Sequence, residues 1–174
     1  MNATANAIER TQTLDLAALR RMSFKELETL YRAGKRPSAV SDLDGDAKGA
    51  VLAIRSLSRS PLHPLLQSIA NLPLFPWLGK SFKGHIQDQG EGINRINLLS
   101  RKAQWFPFET RFAASFLDAK PTLILDYGRP GNPLFIRQIV DEVREVAPGL
   151  YLGPAALRIS GKPRPVLFFA LSYQ

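Results

Sequence analysis

The chain has no cysteine among its 174 residues. That excludes disulfides, thiolate zinc sites, iron–sulfur clusters and cysteine nucleophiles together. Its two histidines, His63 and His85, stand too far apart in sequence to point to a metal site, so no metal and no cofactor is expected. No apolar run approaches the roughly 20 residues of a membrane-spanning helix. The start, Met1–Asp15, lacks a cationic segment followed by an apolar one, so a cytoplasmic chain is the expectation. Neither G-x-G-x-x-G, nor a Walker loop, nor G-x-S-x-G occurs, which removes the common nucleotide-binding loops and the nucleophile elbow. Acidic residues are also in the minority, 15 against 23 Lys and Arg, for a net charge of +8. The cations are scattered in short clusters such as Arg20–Arg21, Arg101–Lys102 and Lys162–Arg164, with no helix–turn–helix, zinc-finger or RNA-binding pattern. No specific nucleic-acid partner is expected from them.

What is present is apolar material cut into short pieces. Hydrophobic residues make up 45% of the chain, enough to bury a core, and 13 prolines with 12 glycines supply many turns. The length suits one domain. Strand-like runs cluster in the last third: Thr110–Asp118, Thr122–Tyr127, Leu150–Gly153 and Val166–Ser172. Earlier runs at Ala50–Leu57, 80–86 and 93–99 extend the series, the last two as a hairpin around a polar turn at Gln87–Gly92. Ser100–Gln104 reads as a basic turn. In Thr110–Asp118 neither face is fully polar, which suits a barrel with an apolar interior and a partly covered exterior.

Helical signals are few. Leu14–Arg21 reads as a short helix, and Ser23-Phe-Lys-Glu26 as a capping box opening a second one that Gly34 and Pro37 end. Such a helix serves as a lid or a packing element. Asn132 as N-cap and Pro133 as first residue predict one more short helix near 133–140, with Phe135, Ile136, Ile139, Val140 and Val143 at helical spacing. Asp42, Asp44 and Asp46 alternate as in a calcium loop. Gly45 falls between the second and third Asp, however, and Ala53 stands where the loop needs Glu, so the run reads as a polar turn. Residues 1–13 are expected to be a flexible start, and 14–174 a single β-barrel domain with N-terminal helices at 14–34.

Three stretches resemble a bacterial family of unknown function named for a G-x-W-x-G motif. Leu43-Asp-Gly-Asp-Ala-Lys-Gly49 is similar in placement to the motif itself, with Ala47 near the place of the tryptophan. Trp77-Leu-Gly-Lys-Ser-Phe82 resembles the family's W-x-G-K-x-F segment, and Asp126-Tyr127, Asp141-Glu-Val-Arg144 and Leu152-Gly153 its C-terminal half. The end, Leu157-Arg-Ile and Leu167-Phe-Phe169, is similar to that of plastid lipid-associated, lipocalin-like barrels. The resemblance implies an antiparallel calycin-like barrel around an apolar cavity, and no catalytic residue.

Such a cavity needs apolar walls and a few polar groups. Trp77, Phe82, Phe112 and Phe116 are the candidate walls. His85, Tyr127 and Asp126 are the acid/base candidates, although Asp126 and Tyr127 point to opposite sheet faces. Plainer readings are a solvent-facing His85 and a core Tyr127. Arg144, Arg95 and Arg111 are candidate clamps on a carboxylate. For the cluster Asp141, Glu142, Arg144 and Glu145, the plainer reading is surface salt bridges. The leading expectation is a barrel that binds a hydrophobic small molecule, a lipid or apolar acid. Another is a cofactor-independent enzyme, an isomerase, cyclase or lyase, on an apolar metabolite. Titratable side chains converging inside the cavity favour the enzyme, and a wholly apolar cavity the carrier. The third is a module making weak contact with anionic membranes through Leu72–Leu78, whose Phe75 and Trp77 alternatively plug the barrel end.

Overall fold

Eight antiparallel strands, taken in chain order, close into a barrel in the computed structural model, which describes residues 14–55, 77–86, 88–98 and 101–174. They are β1 (Gly45–Ile54), β2 (Trp77–Ile86), β3 (Gln89–Leu98), β4 (Arg101–Ala114), β5 (Pro121–Asp126), β6 (Ile139–Ala147), β7 (Leu150–Ile159) and β8 (Lys162–Ser172). Each pairs with its neighbour. The ring closes where β8 pairs with β1, from Lys48↔Ser172 to Ile54↔Leu167. Closure gives every strand two paired neighbours. The first 13 residues, His63 and most of the Leu72–Leu78 stretch, through Pro76, lie outside the described residues.

Two ends of the barrel differ. At one end the 3-10 turn Val40–Leu43 enters the interior. Val40 and Leu43 join Ala47, Phe82, Phe108, Tyr151 and Leu171 in a filled core. The alternating aspartates Asp42, Asp44 and Asp46, read from sequence as a polar turn, are fasteners here. Asp42 accepts from Ser38 and Ala39 N–H at 2.7 and 3.0 Å, and Asp44 from Gly84 N–H at 2.6 Å. Asp46 accepts from the Ser81 hydroxyl at 2.6 Å and from Arg95 at 3.0 Å. The other end, where β2, β4, β6 and β8 start, is left open by the described residues.

The N-terminal helices α1 (Leu16–Leu19) and α2 (Phe24–Ala33) pack on the barrel wall and do not cover the mouth. Their Leu19, Leu27 and Tyr31 meet Leu150, Leu152, Phe168 and Ala170 from the outer face of β7 and β8. The capping box is formed: Ser23 N–H donates to the Glu26 carboxylate at 2.7 Å, and Glu26 N–H to the Ser23 hydroxyl at 3.3 Å. After Gly34 the chain is held to β6 by paired Lys35–Glu145 backbone bonds of 3.0 and 2.7 Å.

Several boundaries differ from the sequence reading. The helical segment near 133–140 is one 3-10 turn, Ile136–Gln138. Ile139, Val140 and Val143 belong to β6 and alternate across its faces. Asn132 does not cap that turn; its amide donates to the Pro107 and Tyr127 carbonyls, both at 2.8 Å. Turns expected at Gln87–Gly92 and Ser100–Gln104 are shorter, because β3 begins at Gln89 and β4 at Arg101. Thr110–Asp118 stays extended only to Ala114.

Because β8 pairs on both sides and carries Phe168, Phe169 and Leu171 into two cores, a chain ending at Arg164 is expected to be insoluble. Expression and sedimentation of the truncated chain check this. Soluble protein with a cooperative urea transition would show that β8 is an appendage.

Candidate functional site

The open half of the barrel holds a cavity of about 360 Å³ lined by Val51, Trp77, Phe106, Ile139, Leu167 and Phe169, among others. Its walls are almost wholly apolar. Four polar residues break that surface: Lys80, Asn94, Tyr127 and Asp141. Lys80 and Asp141 are each 3% exposed.

Strand alternation and two bulges bring these four together. Leu123 and Leu125 on β5, and Tyr127 just after its end, point inward, and Leu125 pairs with Asp141 of β6. Asp141 and Val143 therefore face the interior, while Glu142 and Arg144 face out. On β2 the register shifts between Trp77 and Gly79, so Trp77 shares the inner face with Lys80 and Phe82. Glycine is required twice beside this bulge. Gly79 has φ +132°, and a side chain on Gly49 would collide with the Trp77 indole. Asn94 pairs with Lys80 across β2 and β3. A second shift, opposite Gly92 and Asn94, places Phe106 at φ +58° and turns its carbonyl to the Asn94 amide at 3.2 Å.

Lys80 is the hub. Its ammonium donates to Asn94 Oδ1 at 2.9 Å, to Asp141 Oδ2 at 3.1 Å and to the Tyr127 hydroxyl. Tyr127 donates to Asp141 Oδ2 at 3.1 Å, and the Trp77 indole N–H to Asn94 Oδ1 at 3.1 Å. The rings of Trp77, Phe108, Tyr127 and Phe169 stand 5.1–5.4 Å from the ammonium, within cation–π range. Burial pulls the Lys80 pKa down, against the attraction of Asp141. Burial likewise pushes Asp141 up, against Lys80, and Tyr127 well up.

A second polar network lies outside the wall, under α2. Glu142 accepts from the Tyr31 hydroxyl at 2.6 Å, the Ser115 hydroxyl at 2.7 Å and Phe116 N–H at 2.6 Å. Arg144 forks onto Asp118 at 2.7 and 2.8 Å and lies over the Tyr31 ring. That pairing holds the Asp118 carboxyl down to about 2.

The residues proposed from sequence separate accordingly. Tyr127 and Trp77 line the cavity, and Trp77 is only half-buried. Phe82 is interior but in the filled half, against Phe108. Phe112 packs beside that core with Arg36 over its ring, and Phe116 packs outside against the Ile124, Val140 and Ala156 cluster. Asp126 pairs with Arg158 at 2.8 Å on the outer face. His85 is half-exposed towards the closed end, 3.6 Å from Glu91. Arg95 is spent on Asp46 and the Ala47 carbonyl, and Arg144 on Asp118, both outside the barrel. His85, Asp126 and Tyr127 are thus not brought together, and none of the three arginines lines the cavity, Arg111 being exposed on β4. Neither Lys80 nor Asn94 was offered from sequence as a cavity residue, and Asp141 was read with a surface charge cluster. Counting alternate positions back from Phe82 finds Lys80, and counting from Val143 finds Asp141.

No family model and no curated protein matches the chain. A crystal structure of a protein from Thermomonospora curvata is similar at 19% identity and a TM-score of 0.47, covering 93% of this chain and 89% of that one. Among the described residues, no group of three or more His, Asp or Glu is placed to hold a metal ion, and no helix is long and apolar enough to cross a membrane.

Removing one partner of a buried ion pair strands the other charge. Lys80→Met is expected to cost about 3–5 kcal/mol, and Lys80→Met with Asp141→Leu less than the two single changes together. Urea unfolding of the three variants measures this; a Lys80→Met protein as stable as the parent would show that the pair is not charged.

Proposed function

We propose that the chain binds an apolar small molecule in the open half of its barrel, with the polar end of that molecule at the Lys80–Asn94–Tyr127–Asp141 floor. The carrying observation is the cavity: apolar walls, one polar patch, and a volume in the usual range for ligand sites. Eight-stranded barrels are wide enough for interior side chains or one small ligand. Here the closed half takes the first course and the open half leaves room for the second. The mouth also supports an apolar guest. Among the described residues, the exposed large hydrophobics Val51, Ile54, Trp105, Leu134, Phe135 and Ile159 all lie on the open half. Leu134 is 76% exposed and Phe135 51%, as suits a surface that an apolar molecule crosses on its way in. The resemblance to lipocalin-like barrels agrees with this reading.

An environment-sensitive apolar dye is expected to bind saturably, one per chain. Ala155→Trp, which fills the cavity from β7, is expected to abolish that binding while the protein stays folded by circular dichroism. Dye binding that is unsaturable, or that survives Ala155→Trp, would defeat the proposal.

A second reading is proton-transfer catalysis on an apolar metabolite. What favours it is the convergence of Lys80, Tyr127 and Asp141 inside the cavity. The carrier reading stands ahead of it because the donors of these groups are spent on one another. With 2-undecanone in heavy water, catalysis predicts deuterium uptake beside the carbonyl that Lys80→Met loses. Uptake no faster than in buffer would remove this reading.

A further inference from the structure

Resting on the binding reading above, the hydrogen bonds at the cavity floor say which head group the guest carries. Every donor there is committed. The indole N–H of Trp77 goes to Asn94 Oδ1. The three N–H groups of the Lys80 ammonium go to Asn94 Oδ1, the Tyr127 hydroxyl and Asp141 Oδ2. The two amide N–H groups of Asn94 go to the Phe106 carbonyl at 3.2 Å and the Tyr127 hydroxyl at 3.3 Å. The Tyr127 O–H goes to Asp141 Oδ2. One atom of the set is left over, and it is an acceptor: Asp141 Oδ1 is buried and no protein group among the described residues donates to it. A buried carboxylate oxygen without a donor is costly, and such atoms are uncommon.

From this open valence we infer that the cavity is selective for an apolar alcohol, whose hydroxyl donates to Asp141 Oδ1. A carboxylate guest fits badly. It brings acceptors to a floor with no free donor, and sets its negative charge against Asp141. Arg95 and Arg144, two of the three arginines that sequence offered as anion clamps, lie on the far side of the wall, and the third, Arg111, is exposed and does not line the cavity. An ether or ester brings an acceptor alone and leaves Oδ1 as it was. A cationic amine satisfies Oδ1 but must shed its hydration among apolar walls. Of these head groups, the neutral hydroxyl meets both conditions.

The test uses the unaltered protein and a set of guests with one chain and different heads: 1-decanol, decanoate and decyl methyl ether, displacing the apolar dye at pH 8, where the acid is ionised. Decanol is expected to bind at least about tenfold tighter than either of the others, the selectivity of a site whose buried polar atom is left unpaired by the wrong guest. Decanoate or the ether binding as tightly as decanol would overturn the inference and leave the binding reading intact. Failure of the dye and all three guests to bind would instead defeat the binding reading itself.

Discussion

Closure of the sheet through β8 is the constraint on which everything else rests. Once β8 pairs with both β1 and β7, every strand has two neighbours and the inner faces enclose one interior. The interior must then be filled or left as a cavity. At the closed end, Phe82, Phe108, Tyr151 and Leu171 fill it with the Val40–Leu43 turn as a stopper. At the open end the wall residues are smaller or set back, and space remains between Trp77, Ile139, Leu167 and Phe169. Cavity and core are thus two solutions to the same geometric demand, divided roughly at the level of Lys80.

A four-residue stretch of β6 shows how strand geometry assigns charged residues to opposite tasks. Asp141, Glu142 and Arg144 look alike in sequence, as one cluster of charge. The two-residue period sends Asp141 inward to Lys80 and sends Glu142 and Arg144 outward to Tyr31 and Asp118. The outward pair fastens α2 to the wall, so the helix bears on the strand whose other face floors the cavity. The inward residue sits where a charge is tolerable only with partners.

Much of the fold was legible because its signals are local. The Ser23–Glu26 capping box and the β2–β3 hairpin depend on residues near one another in sequence. The site was less legible, for two physical reasons. Phe135, Ile136, Ile139, Val140 and Val143 satisfy a helical period as well as a strand period where Val140 and Val143 are buried on opposite faces, and a helix hides the inward turn of Asp141. On β2, the bulge after Trp77 breaks the alternation, so counting forward from Trp77 puts Lys80 on the wrong face. Nothing in the residue types announces a bulge except Gly79, whose positive φ allows it. Tyr127 was found because its strand is regular; Lys80 and Asn94 were missed because theirs are not.

The buried Lys80–Asp141 pair raises a question of cost. Apolar residues of similar volume in the same place would often be as stable or more so, and the neighbouring rings of Phe108 and Phe169 show that this interior packs apolar groups well. Retaining the pair has an effect that apolar packing cannot supply. Lys80 links three strands through Asn94, Tyr127 and Asp141, and fixes the direction of each polar atom at the cavity floor. The donors at the floor are all committed, while a single uncommitted acceptor marks one position within it. A flexible polar group would rotate to suit many head groups. Held as it is, with Oδ2 bound by both Lys80 and Tyr127, Asp141 keeps Oδ1 in one direction; on the proposal that the cavity takes an apolar alcohol, the stability given up for the ion pair becomes discrimination among otherwise similar apolar molecules.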